Sequence, residues 1–225
     1  MPRPLTLVLL IALAAAPSTA RPNGDGVAAG PPTVFERFVL SACTPCVRES
    51  YPIAALPIAP ITLPGFPRAA AASGARPGEI AFEVLRAHQP GRPDWKSLAL
   101  RITLSVSTGP GGDMFRLGTG LLDGGDVRAL AQAVEEMARM GTAAPPAEPR
   151  PESIDADFHG GSLRVGVLRM RGDAVGYVQT GDLPILLQRA VWEVPTTLYV
   201  PVKDLGDVGA ALGQAAARID QMRGN

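Results

Sequence analysis

Lysine occurs only twice in this 225-residue chain, at Lys96 and Lys203, and histidine and cysteine also occur twice each. Two histidines leave little room for imidazole acid–base chemistry, although carboxylate chemistry stays open. No histidine stands at finger-like spacing from Cys43 and Cys46, so a Cys43/Cys46/His88/His159 zinc set lacks its pattern. Excess charge is also missing. Twenty-one Lys and Arg balance 21 Asp and Glu. A chain without a basic surplus has no electrostatic grip on nucleic acid or on anionic lipid. Aromatic residues make up 5% of the chain. Trp95, Tyr177, Trp192 and Tyr199 therefore read as core or core-edge side chains, not a ligand platform. No nucleophile elbow, phosphate-binding glycine loop or HExxH motif occurs, and Gly109-Pro110-Gly111-Gly112 reads as a turn. No cofactor is implied.

A long apolar run is absent after the first 20 residues. Residues 52–67 are apolar, but Pro52, Pro57, Pro60, Pro64 and Pro67 interrupt them. Each proline in a helix removes a hydrogen bond and clashes with the preceding turn. The N-terminus is different. Arg3 precedes the apolar stretch Leu5–Ala16, Pro17 breaks it, and Ser18-Thr19-Ala20 supplies small residues for a signal peptidase. The stretch is too short for a bilayer, which needs about 20 apolar residues. Residues 1–20 thus read as a signal peptide, and the exported chain has no transmembrane segment. Leu40-Ser41-Ala42-Cys43 has the outline of a lipoprotein box, but Phe35-Glu36-Arg37-Phe38 stands where its apolar region should be.

Residues 21–33, rich in Gly, Pro and Ala, form a flexible lead-in. Residues 34–78 form an N-terminal segment: a strand over Val34–Ala42, the cysteines, then Pro-rich extended chain. From Glu79 the pattern sharpens. Ile80, Phe82 and Val84 alternate with polar positions, and Leu98, Leu100, Ile102, Leu104 and Val106 share one face of a second strand. A third strand covers 114–122. Then the period becomes helical: Val127, Leu130, Ala131, Val134, Met137 and Ala138 fall on one stripe, with Asp123 placed to cap the start and Gly141 to end it. After a Pro/Ala linker at 142–151 the scheme returns. Strands are expected at 153–159, 162–170, 174–179 and 196–202, with Gly160-Gly161 and Gly172-Asp173 as turns. Val208, Ala211, Leu212, Ala215, Ile219 and Met222 mark the last helix.

The two helix starts repeat. Asp123-Gly124-Gly125-Asp126-Val127-Arg128-Ala129 and Asp204-Leu205-Gly206-Asp207-Val208-Gly209-Ala210 agree at five of seven positions. Helix capping explains the aspartates without catalysis. The expected fold is α+β: antiparallel sheet with two helices, built from a duplicated strands-then-helix unit over 79–141 and 152–225. The run Phe158-His159-Gly160-Gly161-Ser162-Leu163-Arg164-Val165, with Gly172, Tyr177, strand 196–202 and a last helix, resembles the ββββα unit of Whirly-type proteins. That resemblance implies fold, not function.

Two constellations could carry chemistry. Cys43-Thr44-Pro45-Cys46-Val47-Arg48-Glu49 resembles the active-site segment of periplasmic thioredoxin-like proteins of the TlpA/ResA type, and Val194-Pro195-Thr196-Thr197-Leu198 resembles their cis-proline loop. The resemblance implies Cys43 as nucleophile, Cys46 as resolving thiol and Pro195 as the cis-proline. The alternative is a structural disulfide closing a hairpin between 34–42 and 47–53, as exported proteins keep such bonds oxidised. Separately, Asp155, Asp157 and His159 alternate along one strand and share a face. Two carboxylates and an imidazole suit a divalent cation, while the wet face of a half-buried strand explains them more simply. Arg171-Gly172-Asp173 spells an adhesion tripeptide, but Gly and Asp are turn formers there. The functional expectation is a non-enzymatic exported binding or assembly module with a disulfide, whose candidate partner is another exported protein. The alternatives are a thiol–disulfide oxidoreductase and a metal-binding protein.

Overall fold

In a computed structural model, residues 32–60, 77–107, 112–143, 153–170, 173–181 and 196–224 are described. Residues 1–20, the expected signal peptide, lie outside them, as do Pro195, Trp192, Arg171 and Gly172. Eight strands form two antiparallel four-stranded sheets, ordered β1-β2-β3-β4 and β5-β6-β7-β8. The strands are β1 Val47–Ile58, β2 Gly78–Gln89, β3 Arg92–Ser107, β4 Met114–Asp123, β5 Ser153–Gly160, β6 Leu163–Met170, β7 Asp173–Thr180 and β8 Thr196–Pro201. Helix α1 is Val34–Arg37 and runs on into a π-helical turn, Phe38–Ala42. Helix α2 is Val127–Thr142, and a 3₁₀ turn at Val202–Asp204 leads into α3, Leu205–Gly224. The class is α+β, with strands followed by a helix in each repeat.

Alternation builds the sheets. Ile80, Phe82 and Val84 of β2 pair directly with Leu104, Ile102 and Leu100 of β3. All six are buried on one face, where cross-strand apolar pairs stabilise the sheet. The helices bury the expected stripes: Val127, Leu130, Ala131, Val134 and Met137 on α2, and Val208, Ala211, Leu212, Ala215, Ile219 and Met222 on α3.

Each helix lies over the sheet of the other repeat. α2 follows sheet 1 but packs across β5, β6 and β7, and α3 follows sheet 2 but packs across β1, β2 and β3. Side chains confirm the exchange. Arg169 of β6 donates to the last carbonyls of α2, at Gly141 (3.0 Å) and Ala143 (2.6 Å), where helix C-termini lack partners. The Arg218 guanidinium of α3 sits 5.0 Å from the centre of the Tyr51 ring of β1. The two helices also touch, through the Arg128–Asp220 ion pair. One continuous apolar core results.

Four expectations are corrected. The segment 34–42 is helical, not a strand. Thr33 and Glu36 form a capping box, and Phe35, Phe38 and Val39 fall at helical spacing on one side. Pro52 and Pro57 do not keep 47–58 out of the sheet, because β1 is an edge strand and Pro52 stands at a register shift. Proline is tolerated in both settings. The first repeat therefore begins at Val47 and has four strands, not three from residue 79. Third, α2 starts after Asp126, and Asp123 does not cap it. The second repeat's turn also moves by one residue: Gly160 ends β5 opposite Leu163, leaving Gly161-Ser162 as the two-residue turn.

Candidate functional site

The outer face of sheet 1, away from the core, holds α1 at one end. Small residues make room for it: Ala87 of β2 and Ala99 of β3 are fully buried beneath Phe35, together with Leu121 of β4. The Asp123 carboxylate accepts from the backbone N–H of Val34 (2.8 Å) and of Phe35 (3.0 Å). An anionic acceptor at a helix N-terminus satisfies orphan donors and matches the dipole. At the other end the Gln89 amide donates to the Ala42 carbonyl at 3.0 Å. The disulfide follows at once. Cys43 and Cys46 are bonded, with Cα atoms 4.9 Å apart, and Cys43 is buried. The bond closes the turn from the π-helical segment into β1, so no β-hairpin surrounds it.

Between α1 and the sheet lies an open groove of about 690 Å³, a volume suited to a small organic ligand. Phe35, Val39 and Leu40 form one wall, and Leu85 and Leu121 line the sheet side. Arg48, Ser50 and Arg101 stand along the strand side. The Arg101 guanidinium pairs with Glu83 and also donates to the Ser50 hydroxyl. Glu36 is spent on the capping box, accepting from the Thr33 N–H at 2.7 Å. Arg48 has no ion-pair or hydrogen-bond partner among the described residues.

Glu49, next to Arg48 but on the opposite strand face, belongs to a separate network. Its carboxylate accepts from the Tyr51 hydroxyl at 2.8 Å and lies 3.4 Å from Arg86 and 3.5 Å from His88. The Tyr51 hydrogen bond foremost, helped by Arg86 and His88 and opposed by burial, lowers the Glu49 pKa below its ordinary 4.5. A depressed folded-state pKa makes this network's contribution complete above about pH 4.5 and lost as pH falls through the lowered value. The Glu49 carboxyl signal in a carbon NMR titration is expected to turn below pH 4.5, and Tyr51→Phe is expected to move it upward. An unchanged midpoint in Tyr51→Phe would rule out the hydroxyl as the main cause.

On the outer face of sheet 2, Asp155, Asp157 and His159 do share a side of β5. The carboxylates, however, are engaged by protein groups. Arg164 donates to Asp157 (2.9 Å) and Asp155 (3.3 Å), and the Tyr177 hydroxyl donates to Asp155 at 3.0 Å. His159 is exposed and joins no hydrogen bond or ion pair among the described residues. Among those residues no group of three His, Cys, Asp or Glu side chains could hold a metal ion. The Asp157 hydrogen bond raises the Arg164 pKa, and burial above all raises that of Tyr177, whose ring lies against Gly166. Periodicity alone missed Arg164 and Tyr177, because their approach to β5 depends on strand register.

The dithiol site differs from a thioredoxin-type arrangement in one physical respect. A thiol is activated at a helix N-terminus, where the positive end stabilises thiolate. Here the helical segment ends at Cys43, and β1 begins one residue after Cys46.

Together these features define a disulfide-bearing α+β protein of two strands-then-helix repeats that exchange helices. No helix among the described residues is long and apolar enough to cross a membrane. Compared with known proteins, the chain matches no family model, and no curated protein is significantly similar to it.

Proposed function

We propose that this chain is an exported, soluble, non-enzymatic binding module whose ligand occupies the groove beneath α1, with Cys43–Cys46 as a structural staple of the groove wall. The groove itself carries the reading. It is apolar, lies outside the shared core, and its wall is tied down from both ends by Asp123, Gln89 and the disulfide. Groups held in place before binding lose less freedom on binding. Export is supported by the N-terminal leader and by a disulfide, which persists in oxidising compartments. The staple reading is supported by the position of the pair: the bond joins the end of the helical segment to the start of β1, and Cys43 is buried.

A neutral solvatochromic dye is expected to bind the folded protein at one site with a blue-shifted emission. Val39→Trp, which fills the groove, is expected to weaken dye binding about tenfold or more while leaving the melting transition cooperative. Dye binding that survives Val39→Trp unchanged would remove the groove from the proposal.

The disulfide is tested by equilibrating the protein in thiol buffers, alkylating, and counting thiols by mass. A staple is expected to show a potential below about −300 mV. A potential between about −120 and −270 mV, with Cys43 a thiolate at neutral pH, would instead support a redox role for Cys43 and Cys46.

A further inference from the structure

We infer that the groove takes an apolar molecule ending in a single carboxylate, with Arg48 and the Ser50 hydroxyl receiving the anionic end. The inference rests on the groove being the binding site and names the ligand's chemistry. An accounting of charge leads to it. Among the described residues four ionisable ones border the groove, and three are already engaged: Glu36 in the capping box, Glu49 with Tyr51 and Arg86, and Arg101 with Glu83. Arg48 is left. Arg48 is exposed, so water solvates it. A ligand that covers the apolar wall strips some of that water, and a desolvated cation without a counter-charge is penalised. A ligand carrying one anion at that end turns the penalty into charge-assisted hydrogen bonds.

Ser50 adds direction. It is two residues from Arg48 on the same strand, so both project from the outer face. Its oxygen accepts from Arg101 at 3.4 Å, which leaves its own proton free to donate. A carboxylate placed between Arg48 and Ser50 therefore meets a cation and a hydroxyl donor. The rest of the molecule faces Phe35, Val39, Leu85 and Leu121, which offer no polar side-chain partner. A dianion would bring a second charge with no free cation among the described groove residues to meet it. A neutral polar molecule would leave its own groups unpaired against the apolar wall.

The test is isothermal titration of the full, oxidised chain with unbranched monocarboxylic acids of increasing length, kept below their micellar concentrations, beside the matching primary alcohols. Affinity for the acids is expected to rise about fourfold per methylene until the groove is full. The alcohols are expected to bind about tenfold more weakly at equal length. Arg48→Gln is expected to remove that tenfold preference while leaving the alcohols unchanged. Leu40→Glu, a change at an exposed position on the groove wall, is expected to weaken the acids more than the alcohols. Equal binding of acids and alcohols, or an Arg48→Gln variant that keeps the preference, would overturn the ligand class and leave the groove as a binding site. Failure of both series together with the neutral dye would overturn the groove as well.

Discussion

Separated at the linker, the half ending at residue 143 and the half beginning at residue 153 are each expected to be unfolded as a monomer, and to regain a cooperative transition when mixed. The reason is the exchange of helices. In the isolated first half, sheet 1 loses the face of α3 that carries Leu212, Ala215 and Ile219, and α2 loses the sheet it covers. Fully burying one large apolar side chain stabilises a fold by about 1.5–3 kcal/mol. Exposing even five such chains removes on the order of 10 kcal/mol, comparable to the total stability of an ordinary domain. Arg169 would also lose the α2 carbonyls it caps, and Arg218 the Tyr51 ring. At high concentration a half can pair with a second copy of itself, since the repeats are alike, so circular dichroism melts are read beside size-exclusion chromatography. A half that is monomeric and melts cooperatively would show that each helix can fold back on its own sheet, and the exchange would then not be required for stability.

Gly161→Ala is expected to cost about 3 kcal/mol in urea unfolding, far more than the same change at Gly91. Both glycines have positive φ, +57° at Gly161 and +76° at Gly91. Forcing a side chain into that region costs about 1–2 kcal/mol. Their surroundings differ. A Cβ on Gly91 meets nothing within 4 Å, whereas one on Gly161 would stand 2.3 Å from the Leu121 carbonyl oxygen. That oxygen belongs to the seam between the sheets. The Ser162 N–H donates to it at 3.2 Å, and the Ser162 hydroxyl accepts from the Leu121 N–H at 2.9 Å. Backbone cannot move aside as a flexible side chain would, so an overpacking cost of about 1–3 kcal/mol is added. Equal losses at the two positions would mean that the seam yields freely and carries little of the stability.

Much of the architecture could be read along the chain. The stripe from Val127 to Met137 and the stripe from Val208 to Met222 were legible because a 3.6-residue period is a local property. The strands of the second repeat were legible for the same reason, as were β2 and β3. The segment 34–42 was misread because it is short and apolar, and a run of that kind fits helix or strand. Besides the local Thr33–Glu36 capping box, its start is held by Asp123, almost ninety residues away, whose carboxylate meets the first N–H groups. Strand β1 was obscured by its prolines, whose tolerance depends on an edge position that only the assembled sheet defines. At Asp155 and Asp157 the shared face was legible, but the grip of Arg164 and Tyr177 was not, because it depends on which strand lies beside β5.

By itself, then, the sequence determined the α+β class, the repeated strands-then-helix arrangement, and which face of each long element is apolar. These follow from spacing within a few residues, where backbone geometry alone sets which side chains lie together. Tertiary structure decided which sheet each helix covers, which helix Asp123 serves, and that a groove opens between α1 and the outer face of sheet 1. An apolar face specifies that it must be covered, not by what. The choice among equally apolar covers is made by long-range packing and by the few polar groups, such as Asp123, Arg169 and Ser162, that reward one arrangement over the others.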